Sequence, residues 1–335
     1  MPPRLSPLAA DAPIAVAVPT KNRPAHLAVL LASLLQQTFT HWLLVINDSS
    51  SPPVAENAVI HELIVLARSL GHPVHVIATD SGWDRHQRAM EAVPDGIEVI
   101  VRVDDDLMLT PRFLADVQRP LRLFADRPIA AVGGCMPETH RRPLDLDVQL
   151  TESNWVPTID EPTWRLQGNH YTSREVLEVE SLLGHAICYR RSALDAVGGW
   201  AVQGYSDHAY REETDACMRL RAAGYELLVT TEALAWHLLA PAGGSRTIEK
   251  HAGGVRVTSD PVPLLIDAVV FRLRLAALKR HGLADRVLQR YRLDELAAGR
   301  LAARPMVGAA GRLKAFGARV RRALRRLSRR LGARA

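Results

Sequence analysis

Short runs of uninterrupted apolar residues alternate, along the first part of the chain, with longer segments in which leucines and valines return every three or four positions. The short runs are Ile14 to Val18, Trp42 to Ile46, Val74 to Ala78, Ile97 to Val103 and Ile129 to Val132, and they read as buried strands. Between the first two, Ala25 to Gln37 places Leu27, Leu30, Leu31, Leu34 and Leu35 on one helical face. Val54 to Leu70, the segment after Gly82, and Pro111 to Ala125 read as further helices. Strands alternating with helices predict βαβ units, hence an α/β fold with a mixed, mostly parallel sheet flanked by helices. From Pro137 to about Glu180 the regularity fades, and Trp155, Trp164, His170 and Tyr171 stand among prolines and polar residues. A long irregular insert of this kind in a compact domain is usually functional or disordered, and the aromatics argue against simple disorder. Order returns at Ser181 to Arg190, with a helix from Glu213 to Ala223 and more helix from Pro261 to about Ala298.

The chain has 335 residues, 47% of them hydrophobic, enough for one large domain with an appendage. Cys135, Cys188 and Cys217 form no CxxC pair, which disfavours a zinc site or a disulfide framework and favours a reducing compartment. The stretch from Met1 to Pro13 does not read as a signal peptide, and Pro263 to Leu278 is broken as a membrane span by Asp267, Arg272 and Arg274. The net charge of +6 belongs to one segment. Arg304 to Ala335 holds eleven basic residues and no acid, which leaves 31 basic against 36 acidic residues in the rest. In that segment Leu313, Phe316, Val320, Leu324, Leu327 and Leu331 recur at helical spacing among arginines, a basic amphipathic helix. Such a helix suits an anionic membrane surface or the acidic body. A nucleic-acid partner is disfavoured, since no stacking or groove-reading motif accompanies the charge.

The chemistry concentrates where the fourth apolar run stops in Asp104-Asp105-Asp106. A strand ending in carboxylates puts them at the carboxyl edge of a sheet, where open α/β folds bind ligands. Oxygen ligands there suit Mg²⁺ or Mn²⁺, and such a cation suits a diphosphate. Taken alone, the triplet fits an acidic helix N-cap equally well. There is no P-loop, GxSxG, HExxH or GxGxxG, and Gly133-Gly134 is too short to cradle a phosphate.

Six features in order resemble the family 2 (GT-A fold) glycosyltransferases, over Ile14 to Leu238. They are Val16-Ala17-Val18-Pro19-Thr20-Lys21-Asn22-Arg23-Pro24 with Gln37-Thr38-Phe39 after a leucine-rich helix; Asn47-Asp48-Ser49-Ser50; the acidic triplet with Pro111; Gly184 to Leu194 followed by Val197-Gly198-Gly199-Trp200; Arg211-Glu212-Glu213-Thr214-Asp215 with Arg219-Leu220 and Ala223-Gly224-Tyr225; and Ala235-Trp236-His237. The resemblance implies an inverting transferase that takes a sugar from a nucleotide-diphosphate donor, UDP-linked by default, to a hydroxyl of a glycan or lipid-linked acceptor. It implies Mn²⁺ or Mg²⁺ on Asp106, with His237 as a further ligand, and Asp104 and Asp105 near the ribose or the metal. It places the nucleotide near Pro19, Thr20, Asn22 and Asp48. Turn formation explains Asn22 and Asp48 as well, and a solvated helix face explains Arg85 and Arg88, of which one is a candidate for a phosphate.

The family pattern Glu-Asp-x-Asp reads here Glu212-Glu213-Thr214-Asp215, so the catalytic base position is occupied by Glu213, with Asp215 as a second candidate. That departure keeps alive a non-catalytic nucleotide-sugar binder, and the tail keeps alive a membrane-associated scaffold. The expected organisation is a flexible 1–12, a transferase domain over 13–240 split into a nucleotide-binding half (13–135) and an acceptor half (136–240), a helical extension over 241–303 and the basic tail over 304–335. The acceptor is expected against Pro137 to Glu180 and Gly184 to Tyr210. The expected location is cytoplasmic, peripheral at the inner face of the cell membrane.

Overall fold

The computed structural model describes residues 5–80, 82, 84–136, 158–160, 165–167, 175–182, 185–200, 203–238, 240, 247–251, 254–258, 261–280, 289–292 and 304–305. In chain order the strands are β1 (Ile14–Thr20), β2 (Trp42–Asp48), β3 (Val74–Ala78), β4 (Val99–Val103), β5 (Leu107–Leu109), β6 (Ile129–Cys135), β7 (Thr158–Asp160), β8 (Arg165–Gln167), β9 (Glu175–Glu178), β10 (Ala186–Arg190), β11 (Glu226–His237), β12 (Thr247–His251), β13 (Gly254–Thr258), β14 (Gln289–Arg292) and β15 (Arg304–Pro305). The α-helices are α1 (Pro24–Leu34), α2 (Ala58–Ser69), α3 (Arg85–Glu91), α4 (Phe113–Leu123), α5 (Arg191–Ala196), α6 (Glu212–Ala222) and α7 (Pro261–Arg280).

Eleven strands form one mixed sheet in the order β15-β14-β9-β11-β6-β10-β4-β1-β2-β3, with β5 paired to β11. The four strands β3, β2, β1 and β4 are mutually parallel, as the alternation of strand and helix predicts. Beyond β4 the sheet departs from a simple βαβ series. Strand β10 runs antiparallel between β4 and β6, while β6 and β11 point the same way as β4.

Strands β1, β2 and β4 are buried along nearly their whole length and mostly apolar, Arg102 of β4 and Asn47-Asp48 at the end of β2 being polar exceptions. Along β1 the residues divide by period two: Ile14, Val16 and Val18 join Leu27, Leu30, Leu31 and Leu34 of α1 in one core cluster. Ala15 and Ala17 join Tyr189, Trp200, Met218 and Leu275 on the opposite face. Asn57 caps α2, its side-chain oxygen accepting from the Val59 and Ile60 amides at 3.1 and 3.2 Å. Gly134 of β6 is required by close approach. A Cβ there would stand 2.8 Å from both the Ala233 carbonyl oxygen and the Phe113 ring.

Two expectations change. The segment 1–12 is tied down from Leu5 onward, since Leu5 and Leu8 pack on the two clusters and Arg190 donates to the Ser6 carbonyl at 2.6 Å. The region after 241 is not wholly helical. It holds the β12–β13 hairpin, α7, and a strand, β14, that adds to the edge of the main sheet on β9. Edge-strand amides are satisfied by whatever extended segment lies beside them, and no local periodicity announces that. Most of the irregular stretch expected to meet the acceptor, and the tail from 306, lie outside the described residues.

Candidate active site

The carboxyl ends of β1, β2 and β4 form one edge. Thr20 stands in register with Asp48, and the acidic triplet follows β4 directly. Each carboxylate of the triplet has its own partners. Asp104 accepts from Arg102 at 2.7 Å and faces His185 Nδ1 at 3.0 Å. Asp105 accepts from the Thr20 hydroxyl at 2.8 Å and from Arg23 at 2.9 Å. Asp106 faces Arg23 at 3.4 Å, His237 Nε2 at 3.5 Å, and accepts from the Ala240 amide at 3.2 Å.

His237 reaches the triplet through strand pairing. The chain turns after Asp106 into β5, and β5 pairs antiparallel with the end of β11, Leu107 opposite His237. The Leu238 amide then donates to the Asp106 carbonyl at 2.9 Å. The His185 and His237 rings lie 4.3 Å apart, so both imidazoles border the triplet.

The electrostatics follow from burial opposed by pairing. Burial disfavours the charge of Asp106, but the hydrogen bond and charge of His237, with Arg23, hold it well below the ordinary carboxylate range. Burial acts likewise on Asp104 and is outweighed by Arg102 and His185. At Asp105 burial wins: its carboxyl is pushed up to about 6 despite Arg23, with Asp106 adding repulsion. Burial also works against the charge of Arg23, and the two carboxylates outweigh it and raise its pKa.

On the nucleotide side, Asp48 is buried and both of its oxygens accept backbone amides, from Ser50 at 2.9 Å and Val54 at 2.7 Å. Its turn role is therefore real, and each oxygen keeps a further lone pair. Asn22 adopts a left-handed conformation (φ 55°) and interlocks with the next loop, its amide donating to Ser50 Oγ at 2.7 Å and its side chain accepting from Ser51 at 2.9 Å. Pro19 lies within β1, opposite Asn47.

Two sequence candidates have partners of their own. Arg88 pairs with Asp84 on its own helix at 2.7 Å, on a solvated face. Arg85 donates to the carbonyls of Asp207 and His208 at 2.6 and 3.2 Å, tying α3 to the loop before α6. Asp215 is buried and holds the interior together: it accepts from Arg219 at 2.8 Å, from Tyr205 at 3.2 Å, and from Arg274 of α7. Arg219 lies one turn along the same helix, while Tyr205 and Arg274 are brought by tertiary packing, so the Asp215 carboxylate is engaged on several sides.

Glu213, by contrast, is half-buried at the first turn of α6, with its pKa raised by burial and then by Glu212. Its neighbour Glu212 is buried and begins a run of contacts that the sequence did not reveal. Glu212 Oε1 lies 2.8 Å from His86 Nε2, Arg102 Nε donates to His86 Nδ1 at 3.2 Å, and Arg102 also binds Asp104. Arg102 further lies over the Trp200 ring, 5.5 Å from its centroid. Arg23, His86, Arg102, His185 and Glu212 thus join the site. The only advance signal was their place inside the quoted motifs, for Arg23, His185 and Glu212, and a charged residue inside a buried strand run, for Arg102.

A divalent cation fits this edge in a limited sense. Among the described residues no cluster of three or more His, Cys, Asp or Glu side chains forms a self-sufficient cage. Asp106 and His237 do make a carboxylate–imidazole pair, and Mg²⁺ or Mn²⁺ commonly takes one or two protein ligands and completes its shell with substrate phosphate and water. The Arg23 guanidinium, bridging Asp105 and Asp106, marks the same place as one where positive charge is favoured.

Acids and imidazoles are gathered at the carboxyl edge of an open α/β sheet, the place where such folds bind ligands. Residues 15–198, more than half of the chain, match the family described as Glycosyl transferase family 2. The chain belongs to that family. No curated protein matches it in sequence. Among solved structures, it is similar to TarS of S. aureus, with 17% identity and a TM-score of 0.45 over 68% of this chain and 37% of that chain. TarS 1-349 in complex with UDP-GlcNAc gives 15% identity and a TM-score of 0.46, over 69% of this chain and 59% of that one. The mannosyltransferase PcManGT from Pyrobaculum calidifontis, in complex with GDP-Man and Mn2+, gives 16% identity and a TM-score of 0.48, over 95% and 83%. The chain thus spans less than two thirds of the length of these TarS chains.

Proposed function

We propose that this transferase moves a sugar, with inversion, from a nucleotide-diphosphate donor to a hydroxyl of a glycan or lipid-linked acceptor. UDP-sugar is the default donor. The observation that carries the reading is the meeting of Asp106, His237 and Arg23 at the edge where β1, β2 and β4 end.

In this reading Asp48 accepts an N–H of the base, and Thr20 with Asp105 lines the crevice beside the ribose. Asp106 and His237 would hold Mn²⁺ or Mg²⁺, whose chemistry is to stabilise the negative charge growing on the leaving diphosphate. Glu213 takes the proton of the acceptor hydroxyl as its oxygen attacks the anomeric carbon. The bond to the nucleoside diphosphate breaks as the new one forms, and the diphosphate leaves with the bonding electrons. A single displacement inverts the anomeric centre. The raised pKa of Glu213 strengthens it as a base, and a base works best when its pKa nears the operating pH.

The irregular stretch after 137 is assigned to the acceptor. Residues 312–335 are assigned to a peripheral contact with the inner face of the cell membrane. Both assignments rest on sequence.

A second reading is favoured by one observation, the position of Arg23 between Asp105 and Asp106. Here the guanidinium itself meets the diphosphate and no metal is needed. A non-catalytic homologue, suggested by Glu213 in place of Asp, would bind donor without turnover.

Thermal melting with UDP, GDP and their sugars, each with and without Mn²⁺, separates the metal reading from the guanidinium reading, because a ligand of the native state raises the melting temperature. Release of the nucleoside diphosphate from a bound donor separates both from the non-catalytic homologue. GDP belongs in the panel because guanine also presents N–H donors to Asp48. A Mn²⁺-dependent rise with one base, lost in Asp106→Ala, supports the metal site. A rise indifferent to Mn²⁺ and lost in Arg23→Ala favours the second reading. No rise with any nucleotide removes the donor site altogether.

A further inference from the structure

Helix α7 (Pro261–Arg280) is seated by one face and left open on another. Asp267, Phe271 and Leu275 are buried at four-residue intervals. Asp267 accepts from the Ser206 amide at 2.6 Å, the Ser206 hydroxyl at 2.8 Å and the Tyr210 amide at 2.7 Å, pinning the loop that leads into α6. On another face Val262, Leu265, Ile266, Val269 and Leu273 are all exposed, Leu265 by 65% and Leu273 by 67%. Their spacing of three and four makes one continuous apolar stripe. Apolar residues scattered singly over a surface need no explanation, whereas a contiguous row marks a surface that something covers.

The charges of the same helix say what covers it. Arg272, Lys279 and Arg280 are exposed, and its sole acid, Asp267, is buried, so α7 presents one sign of charge at the surface. We propose that this face of α7 docks on an anionic lipid surface. An apolar stripe flanked by basic residues meets both parts of such a surface, acyl chains and headgroups. Two other occupants bring like charges together. A second copy on a twofold axis sets the same basic patch against itself. The chain's own segment from Arg304 to Ala335, with eleven basic residues and no acid, does so more strongly. That segment instead adds attraction toward the same lipid. Among the described residues no helix is long and apolar enough to cross a membrane, so α7 would lie on the surface. Because Arg274 of α7 is joined to Asp215 of α6, docking also fixes the orientation of the helix that begins with Glu212 and Glu213. The proposal does not depend on the donor chemistry above.

The test is flotation of the full chain with vesicles of phosphatidylglycerol and phosphatidylcholine, and with phosphatidylcholine alone. The variant is Leu265→Glu with Leu273→Glu. A second pair, Ile266→Ser with Val269→Ser, is measured alongside, and thermal melting checks that each is folded. Leu66→Glu with Leu70→Glu makes the same chemical change at exposed positions on and after α2, as a control. Expected are binding to the phosphatidylglycerol vesicles, weaker by about tenfold or more in both α7 pairs, and unchanged binding in the control. Absence of binding, or equal binding by wild type and a folded α7 variant, overturns the proposal. So does a solution dimer that the α7 variants dissolve, which would give the face to a second copy.

Discussion

His86 Nε2 lies 2.8 Å from Glu212 Oε1, and both side chains are buried. The contact joins α3 to the first residue of α6. On its other side the imidazole meets Arg102, and Arg102 meets Asp104. The helix that carries the proposed base and the strand that ends in the acidic triplet are thereby held by one run of side chains. Burial, with Arg102 next, keeps the His86 pKa well below its ordinary value, so the ring is neutral. Arg102 approaches both ring nitrogens, Nδ1 at 3.2 Å and Nε2 at 3.1 Å, so the imidazole is held between the guanidinium and Glu212.

Arg102 is the middle of that run, and removing it takes from Asp104 its 2.7 Å partner and from His86 the guanidinium on its far side from Glu212. Arg102→Met should destabilise the protein by about 3–5 kcal/mol, the cost of breaking a buried ion pair from one side. Chemical denaturation measures it. A loss under about 1 kcal/mol, the ordinary scale of a point substitution, would show that Asp104 and Glu212 do not depend on Arg102.

The pH dependence of stability carries the signature of Glu212. Burial pushes its carboxyl from 4.5 up to about 8, with Arg85 and Arg102 opposing. The folded state therefore binds the Glu212 proton more tightly than the unfolded chain does. Stability from this group is fully present below about pH 4.5, is lost as pH rises through about 8, and is flat above that. Glu212→Gln should remove this fall, so the variant's stability relative to wild type should rise between pH 5 and pH 8.5. Urea midpoints at the two pH values test it, and parallel curves for the two proteins would count against it.

Glu213 should separate binding from turnover. Glu213→Gln should lower turnover by about 10²–10⁴-fold, the usual contribution of a positioned acid or base, while leaving donor-induced melting shifts in place. Glu213→Asp, which restores the residue type of the family pattern, should retain turnover. Equal activity of Glu213→Gln and wild type would move the base elsewhere.

Asp215 should behave in the opposite way. Its carboxylate faces Arg219, Arg274 and Tyr205 in the interior. Asp215→Ala should cost about 3–5 kcal/mol of stability by leaving buried cations without their partner. At a temperature where the variant is folded, kcat should stay within a fewfold of wild type. A large drop in kcat with unchanged melting would return Asp215 to the catalytic set.

The first half of the fold was legible because its information is local. Period-two and period-3.6 spacing is set by which side of a strand or helix is buried, and β1 to β4 with α1, α2 and α4 follow it within a few residues. Placing acids at a strand end is also local, so the triplet and Asp48 could be assigned to a sheet edge from sequence alone. Partnership is not local. His237 reaches Asp106 only because β5 pairs with β11, and the Ala240 amide that completes the contact is 134 positions from Asp106. The insertion of β10 between β4 and β6, and the addition of β14 to the sheet edge, have the same origin. The i,i+4 pairs Asp84–Arg88 and Asp215–Arg219 are local, whereas Arg23 meets Asp105 across 82 positions. A charged side chain takes its role from whatever opposing charge the packing brings within hydrogen-bond distance. The sequence thus determined the strands and helices of the first half and the carboxylates that end its strands. The tertiary structure decided which of those charges are held for chemistry and which hold the fold, because register between distant strands sets every such distance.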